Sequence, residues 1–375
     1  MHILISALHR PSKPTGVCRH AVNLAQCLAT IDKITKITIA IGIWQKDYFE
    51  TSFEFTSDKI KVVTIDIKNT SYQRNIWFLF GLPKLVTEID PDLIHLSFPI
   101  PFLRFLFSVP IVTTIHDLYP YEYPRNFGYP QVIFNQLFLK QCLHNTDGIV
   151  CVSNCTLKSL QKYFSRICAV KKTTVVYNYV DFSHIEPTKP EKINLEAQKF
   201  LLTVAQHRHN KNLVLLIRAY NLLLEQSDLK PDFKLAIVGS KGPETAAIER
   251  EIQQLSLQDK VILISSIEDS ILCWLYQNCE LYVAPSSTEG FCLPLAEALY
   301  LSCKVVCSNI PIFKEIGDDN CVYFELQENN YHNLASAIKT ALQQPFLNSS
   351  KVNFRFSKVQ AADNYYSFYS EFYRS

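Results

Sequence analysis

An α/β fold made of two doubly wound, parallel-sheet domains is predicted by three features of this 375-residue chain. The length exceeds what one core usually supports and fits two domains of about 180 residues each. Short Val/Ile-rich runs alternate with amphipathic stretches throughout. The runs are continuously apolar rather than alternating, which is how strands buried on both faces of a parallel sheet read.

In the first half the expected strands cover residues 3–7, 37–41, 61–65, 93–96, 111–115, 148–152 and 174–177. Helical periodicity covers 17–29, 72–89, 130–144 and 156–164. A polar stretch rich in Pro, Lys and Glu then reads as a linker. The pattern restarts with strands at 200–205, 234–238, 261–264, 281–284, 304–307 and 322–324. Helices are expected at 213–225, 244–255, 270–277, 293–301 and 331–342. The resulting division is an N-terminal domain over 1–182, a linker over 183–198, a second domain over 199–355, and an aromatic helix over 356–375 that packs back on the first domain.

Bulk composition narrows the function. The formal net charge is +2 and 19% of residues are charged, so no electrostatic footprint for nucleic acid exists. The twelve cysteines form no C-x-x-C and most sit in apolar stretches, as small buried hydrophobes of a reducing cytosol do. No basic stretch followed by an apolar signal core opens the chain, so a cytoplasmic location is expected. Residues 93–116 are rich in apolar side chains, but Pro99, Pro101 and Pro110 suit two buried strands better than a membrane span. Ile76-Trp-Phe-Leu-Phe80, near Arg74 and Lys84, is a candidate for peripheral contact at the inner face of a membrane, against the plainer expectation of a buried helix.

Ligands of such sheets bind beyond the C-terminal ends of the strands. The chain has nine glycines, with no G-x-G-x-x-G and no G-x-x-x-x-G-K-[ST], which opposes a dinucleotide-dependent dehydrogenase or epimerase and a P-loop ATPase. Four strand ends carry chemistry instead. Pro285-Ser-Ser-Thr-Glu-Gly-Phe-Cys-Leu-Pro-Leu-Ala-Glu297 runs from a strand through a turn at Gly290 into a helix with Pro294 in its first turn. The N–H groups of Phe291, Cys292 and Leu293 would face a diphosphate there. Glu289 and Glu297 border the same position and suit sugar hydroxyls; a plain acidic first turn complementing the helix dipole is the competing reading. Arg208 and Lys211 follow the strand at 201–205 and suit a diphosphate. His116-Asp117 ends the strand at 112–116, and Lys13-Pro-Thr-Gly16 joins the first strand to the first helix, where Gly16 permits close approach.

In this order the four stretches resemble glycosyltransferase family 4, the retaining family with the GT-B fold of two Rossmann-like domains facing a cleft, and the match covers nearly the whole chain. Its most specific part is the E-x7-E pair Glu289 and Glu297. Val204 followed by Lys211-Asn212, Thr114-Ile-His-Asp-Leu118, Val150-Cys-Val-Ser153, Asn178 with Asp181, Val238-Gly239 and Ile267-Glu-Asp also look like family segments. The resemblance implies a hexosyltransferase acting from a GDP- or UDP-linked sugar on a glycan, lipid-linked or small-molecule acceptor, by same-face attack and with no metal or other cofactor. Glu297 would then hold the donor ribose, Glu289 and His116 the transferring sugar, Lys211 with Arg208 the diphosphate, and the backbone near Ile267 the base, with Asp117 and Ser153 on the acceptor side. The sequence departs at Ala205-Gln206, where the family often has Gly-Arg, and at Cys18, Cys292 and Tyr179, where it often has Gly. These departures keep an inactive GT-B-like scaffold as the alternative. Asp90-Pro-Asp92 formally matches the D-x-D of metal-dependent transferases but precedes a strand, at the end away from the expected cleft.

Overall fold

The computed structural model describes residues 1–12, 15–124, 130–191, 195, 199–265, 267–327, 331–344 and 355–373. The chain divides into two compact units: Met1–Tyr179 with Phe356–Ser375, and Val180–Arg355.

In unit 1, strands β1 (His2–Ser6), β2 (Lys36–Gly42), β3 (Ile60–Ile65), β4 (Leu93–Leu96), β5 (Ile111–Ile115), β6 (Gly148–Cys151) and β7 (Lys172–Val175) form one sheet, ordered β3-β2-β1-β4-β5-β6-β7. The pairings are parallel, with Ile5 opposite Ile39 on one side and His95 on the other. The connecting helices are α1 (Gly16–Leu28), α2 (Lys46–Ser52), α3 (Ser71–Ile76), α4 (Leu82–Ile89), α5 (Tyr119–Glu122), α6 (Gln131–Asn145) and α7 (Asn154–Val170). In unit 2, strands β8 (Phe200–Val204), β9 (Lys234–Val238), β10 (Val261–Ile264), β11 (Leu281–Ala284), β12 (Val305–Ser308) and β13 (Val322–Phe324) form a second parallel sheet, ordered β10-β9-β8-β11-β12-β13. Its helices are α8 (Leu213–Glu225), α9 (Thr245–Gln254), α10 (Asp269–Asn278), α11 (Leu293–Tyr300), α12 (Pro311–Gly317) and α13 (Tyr331–Gln343). A last helix, α14 (Lys358–Tyr373), belongs to unit 1.

Burial follows the sequence pattern. Ile3, Ile5, Ile37, Ile39 and Ile41 are fully buried, and α1 turns Ala21, Val22, Ala25 and Leu28 onto them. Helix α14 inserts Tyr365, Phe368 and Tyr369 into the same core, and Tyr369 Oη lies 2.7 Å from His95 Nδ1. Burying three such rings contributes several kcal/mol as an upper bound, at about 25 cal/mol per Å².

The elements differ from the periodicity reading in two ways. Residues 72–89 do not form one helix: a widened π turn at Trp77–Gly81 separates α3 from α4. Pro83 cannot donate to the preceding turn, so a continuous helix through it would lose a bond. Gly81 leaves the space that the Trp77 indole fills; a Cβ there would lie 2.3 Å from the ring. Helices α2, α5 and α12 are too short to show as periodic stretches. Unit 2 begins at Val180, so it includes the polar stretch at 183–198, where Thr188 N–H donates to Ser270 O at 3.1 Å.

Candidate active site

Strand order reverses at β8/β11, so the crossovers leave in opposite directions and the loops beyond these strands open a crevice. The loops are laced together. Ser287 N–H donates to Asn210 O (2.8 Å), Asn210 Nδ2 to Thr288 O (3.1 Å), and Asn212 Nδ2 to Pro285 O (2.8 Å). Asn212 holds a left-handed backbone at φ 49°, which Asn tolerates better than most residues. The lacing brings Lys211 onto Glu289, 78 residues away, as an ion pair whose side chains are 18% and 11% exposed. Burial acts to lower the Lys211 pKa, but the charge and hydrogen bond of Glu289 outweigh it, so the ammonium is held above its ordinary value. Asn210 escaped the sequence reading; an Asn-Lys-Asn run directly after a strand was its available signal.

Glu297, expected beside the donor ribose, is buried in the second turn of α11, where its Oε2 accepts from Tyr276 Oη at 2.9 Å. Burial, with the Glu297 charge, drives the Tyr276 pKa well above its ordinary value, so the phenol stays a donor that orients the carboxylate. Helix α11 begins at Leu293 with Pro294 in its first turn. The amides entering a helix lack intrahelical acceptors, so this end suits an anion beside Lys211. Phe291 is buried and Gly290 half-buried.

Cys292 caps α11 in a left-handed conformation, φ 69° and ψ 73°. A side chain there costs about 1 kcal/mol relative to glycine. Cys292→Gly is therefore expected to raise the melting temperature by about 2–4 °C, read by thermal unfolding. An unchanged or lower value would show that the thiol's packing outweighs the backbone strain.

Arg208 is exposed and outside the Lys211–Glu289 pair, although its charge acts on Lys211. It borders a cavity of about 680 Å³ together with Asn212, Ser287 and Arg218. Gly239 ends β9 against the backbone after β8, and a Cβ there would meet Ala205 O at 1.9 Å. Ile267 is half-buried beyond β10, next to Ser266, which lies outside the described residues.

Unit 1 has its own reversal point at β1/β4, with β5 beside it. His116, half-buried at the end of β5, donates from Nε2 to Ser97 O at 2.8 Å, which leaves Nδ1 as its lone-pair nitrogen. Burial holds its pKa below the ordinary value against the opposing pull of the Ser97 bond and Asp117. The His20 ring meets His116 edge-on at 4.7 Å, and His20 Nδ1 donates to Asn178 Oδ1 at 2.8 Å. His95, fully buried, lies 2.8 Å from Thr114 Oγ1. The sequence reading found His116 but not this histidine cluster, because the members lie on three separate elements. It also missed a buried network in which His9 Nε2 lies 2.8 Å from Cys18 Sγ, with Tyr48 Oη 3.0 Å from the thiol and Gln45 Nε2 donating to Tyr48 Oη. Burial pushes the Cys18 thiol up and the His9 imidazole down to about 4, so both stay neutral.

Other expected positions fall as follows. Gly16 begins α1, and a Cβ there would meet nothing within 4 Å; Lys13 and Pro14 lie outside the described residues. Asp117 is exposed and accepts from Tyr119 N–H at 3.0 Å. Ser153 is fully buried as the cap of α7, accepting from Thr156 N–H at 3.0 Å. Tyr179 is 6% exposed, and its backbone is not left-handed. Asp90 ends α4 in a left-handed conformation, and Asp92 Oδ2 accepts from His2 N–H at 2.6 Å before β4. The twelve cysteines are free and none is exposed. In the segment considered for membrane contact, Trp77 and Phe78 are core while Ile76 and Phe80 are 39% and 55% exposed, and Arg74 is buried and bonded to Asn69 and Ser71. Among the described residues no helix is long and apolar enough to cross a membrane.

Two parallel-sheet domains whose reversal points carry these residues define the GT-B class of glycosyltransferase fold. Residues 14–184 match the family described as Glycosyltransferase Family 4, and residues 185–356 match Glycosyl transferases group 1. The chain belongs to this group 1/family 4 type of glycosyltransferase. It is 23% identical to the O-antigen chain mannosyltransferase RfbU of Salmonella typhimurium, over 88% of each chain. It is 29% identical to an N-acetylgalactosamine-N,N'-diacetylbacillosaminyl-diphospho-undecaprenol 4-alpha-N-acetylgalactosaminyltransferase of Campylobacter jejuni, over 62% of this chain and 60% of that one. The fold is similar to Anabaena Alr3699/HepE, solved in complex with UDP and glucose, at a TM-score of 0.71 and 17% identity, covering 98% of this chain and 99% of the other.

Proposed function

We propose that the chain transfers a hexose from a GDP- or UDP-linked sugar to a glycan or lipid-linked acceptor, with retention and without a metal. The observation that carries this reading is the Lys211–Glu289 pair beside the start of α11, at the β8/β11 reversal. The relatives named above, a mannosyltransferase and a transferase whose name gives a diphospho-undecaprenol acceptor, favour a hexosyl group and a lipid carrier. A lipid-linked acceptor puts the reaction at the cytoplasmic face of a membrane.

The donor diphosphate binds at Lys211 and the amides leading into Leu293, with Arg208 adding charge from outside. Glu289 accepts from hydroxyls of the transferring sugar, and Glu297, oriented by Tyr276, holds the ribose. The base lies by Ile267, and the family resemblance assigns His116, at the end of β5, to the transferring sugar. The acceptor oxygen attacks the anomeric carbon on the face from which the diphosphate leaves. The C–O bond to phosphate breaks as the new glycosidic bond forms, and the acceptor proton passes to a phosphate oxygen. Lys211 and the helix start stabilise the charge on that leaving group, as preorganised donors do for an oxyanion. These fixed positive groups do the work that a metal does in D-x-D enzymes.

Thermal unfolding with UDP, GDP, ADP and NAD⁺, with and without EDTA, tests this. A nucleoside diphosphate at about 100 times its Kd stabilises by about 2.7 kcal/mol. The expected result is a rise with UDP or GDP that EDTA leaves unchanged. A rise with NAD⁺ alone, or activity lost in EDTA and restored by Mn²⁺, overturns the reading.

A further inference from the structure

Charge is unevenly placed along the chain. The whole sequence is nearly balanced, with 37 Lys and Arg against 35 Asp and Glu. Between Tyr123 and Val180, however, there are seven Lys and Arg and a single acid, Asp147. Asp147 is itself neutralised by Arg104, with Nε 3.0 Å from its carboxylate.

This cationic segment contains α6 and α7, which follow β5 and β6. Strand order runs on in one direction there, so right-handed crossovers place both helices on the same face of the sheet. Their inner residues share one core, with Leu139 and Leu143 of α6 against Leu160 and Phe164 of α7.

The outer stripe of α6 is unusual. At helical spacing it presents Ile133, Phe134 and Leu137, which are 41%, 52% and 54% exposed, then Lys140 and His144. The outward stripe of α7 presents Lys158, Lys162 and Arg166, one turn apart and exposed. Neither helix contains an acid. A helix of a parallel sheet runs back along the strand it follows. The apolar half of α6 therefore lies at the C-terminal end of β5, the end that carries His116.

We infer that the outer face of α6 and α7 docks on an anionic lipid bilayer. The aromatic and aliphatic side chains of α6 enter the headgroup boundary, and the acid-free cationic row of α7 lies over the charged surface. Apolar groups alone would suit a second copy of the chain equally well, but the three cations of α7, beside a single neighbouring acid, Glu122 on Ser159 Oγ at 2.6 Å, repel their own copy and attract an anionic surface. The inference extends the lipid-linked acceptor reading, since it holds the acceptor end of unit 1 at the membrane.

The test is co-sedimentation of the full chain with vesicles of phosphatidylglycerol or phosphatidylcholine, at low and high salt. Expected is binding to phosphatidylglycerol that weakens with salt, with little binding to phosphatidylcholine. Phe134→Glu/Leu137→Glu and Lys158→Glu/Lys162→Glu should each weaken it about tenfold or more, with the nucleotide-induced melting shift intact. Vesicle binding is read without donor or acceptor, so its failure is separate from failure of the transferase reading. Equal binding to both lipids, unaltered binding by the variants, or a dimer by light scattering that Phe134→Glu/Leu137→Glu dissociates overturns the proposal.

Discussion

Lys211→Ala is expected to lower the transfer rate at saturating donor by about 10²–10³-fold, the usual effect of removing one preorganised group from a developing negative charge. The geometry makes the expectation stronger than a lone loop lysine would. Lys211 is mostly buried, paired with Glu289, and held charged against the cost of burial. The substitution also leaves the Glu289 carboxylate, 11% exposed, without its cation, which typically costs a few kcal/mol. A fall in melting temperature should therefore accompany the loss of rate. Glu289→Gln in the same background should restore part of the stability but not the rate, because it removes the stranded charge without supplying a cation to the diphosphate. Stability and rate thus separate the two roles of the lysine. Full transfer by Lys211→Ala would remove it from the reaction.

Stability should fall as pH drops from about 6.5 towards 4. Burial pushes the His9 pKa down to about 4, and burial with the charge of His116 pushes His95 down to about 3. Both values lie below the ordinary 6.5, so the unfolded chain binds more protons than the folded one through this window. Stability is therefore fully present above about pH 6.5 and is lost on acidification until the folded pKa values are passed. Between pH 6.5 and 4.5 each of the two contributes a loss of about 2 kcal/mol, since the slope reaches its limit of about 1.4 kcal/mol per unit only below the unfolded pKa. Urea titrations across this range measure the slope. His95→Gln, which has no titrating group to lose between Thr114 and Tyr369, should flatten the slope while lowering stability at pH 7. An unchanged slope would mean that His95 does not contribute to the acid response.

Several features of this protein were legible from sequence alone because they are encoded over a few neighbouring residues. Strands at 93–96, 111–115, 234–238, 261–264, 281–284 and 322–324 fall where their apolar runs placed them, and α8 spans the residues that its periodicity marked. The strand–turn–helix at 281–300 announced itself through Gly290, Pro294 and the two glutamates. The family segments were readable for the same reason.

Short elements were lost to the same logic. Helices α2 and α12 are seven residues each, under two turns, too few for a period to show. The π turn at Trp77–Gly81 was hidden because the apolar spacing runs through it while only the backbone changes. Cysteine itself does not favour the left-handed state found at Cys292, so the only sign of it was the glycine that the resembling family often has there.

The pairing of distant groups belonged to the tertiary structure. Lys211 and Glu289 were each visible as candidates, but their ion pair depends on Asn210 and Asn212 lacing two loops that meet only because β8 and β11 are neighbours. His20 finds Asn178 across 158 residues, and His95 finds Tyr369 across 274. Local sequence fixes which residues can be strand, turn or helix through backbone sterics and the period of apolar side chains. Which charges end up paired, buried or facing out depends on the order of strands in each sheet, and that order is set by the packing of the whole domain.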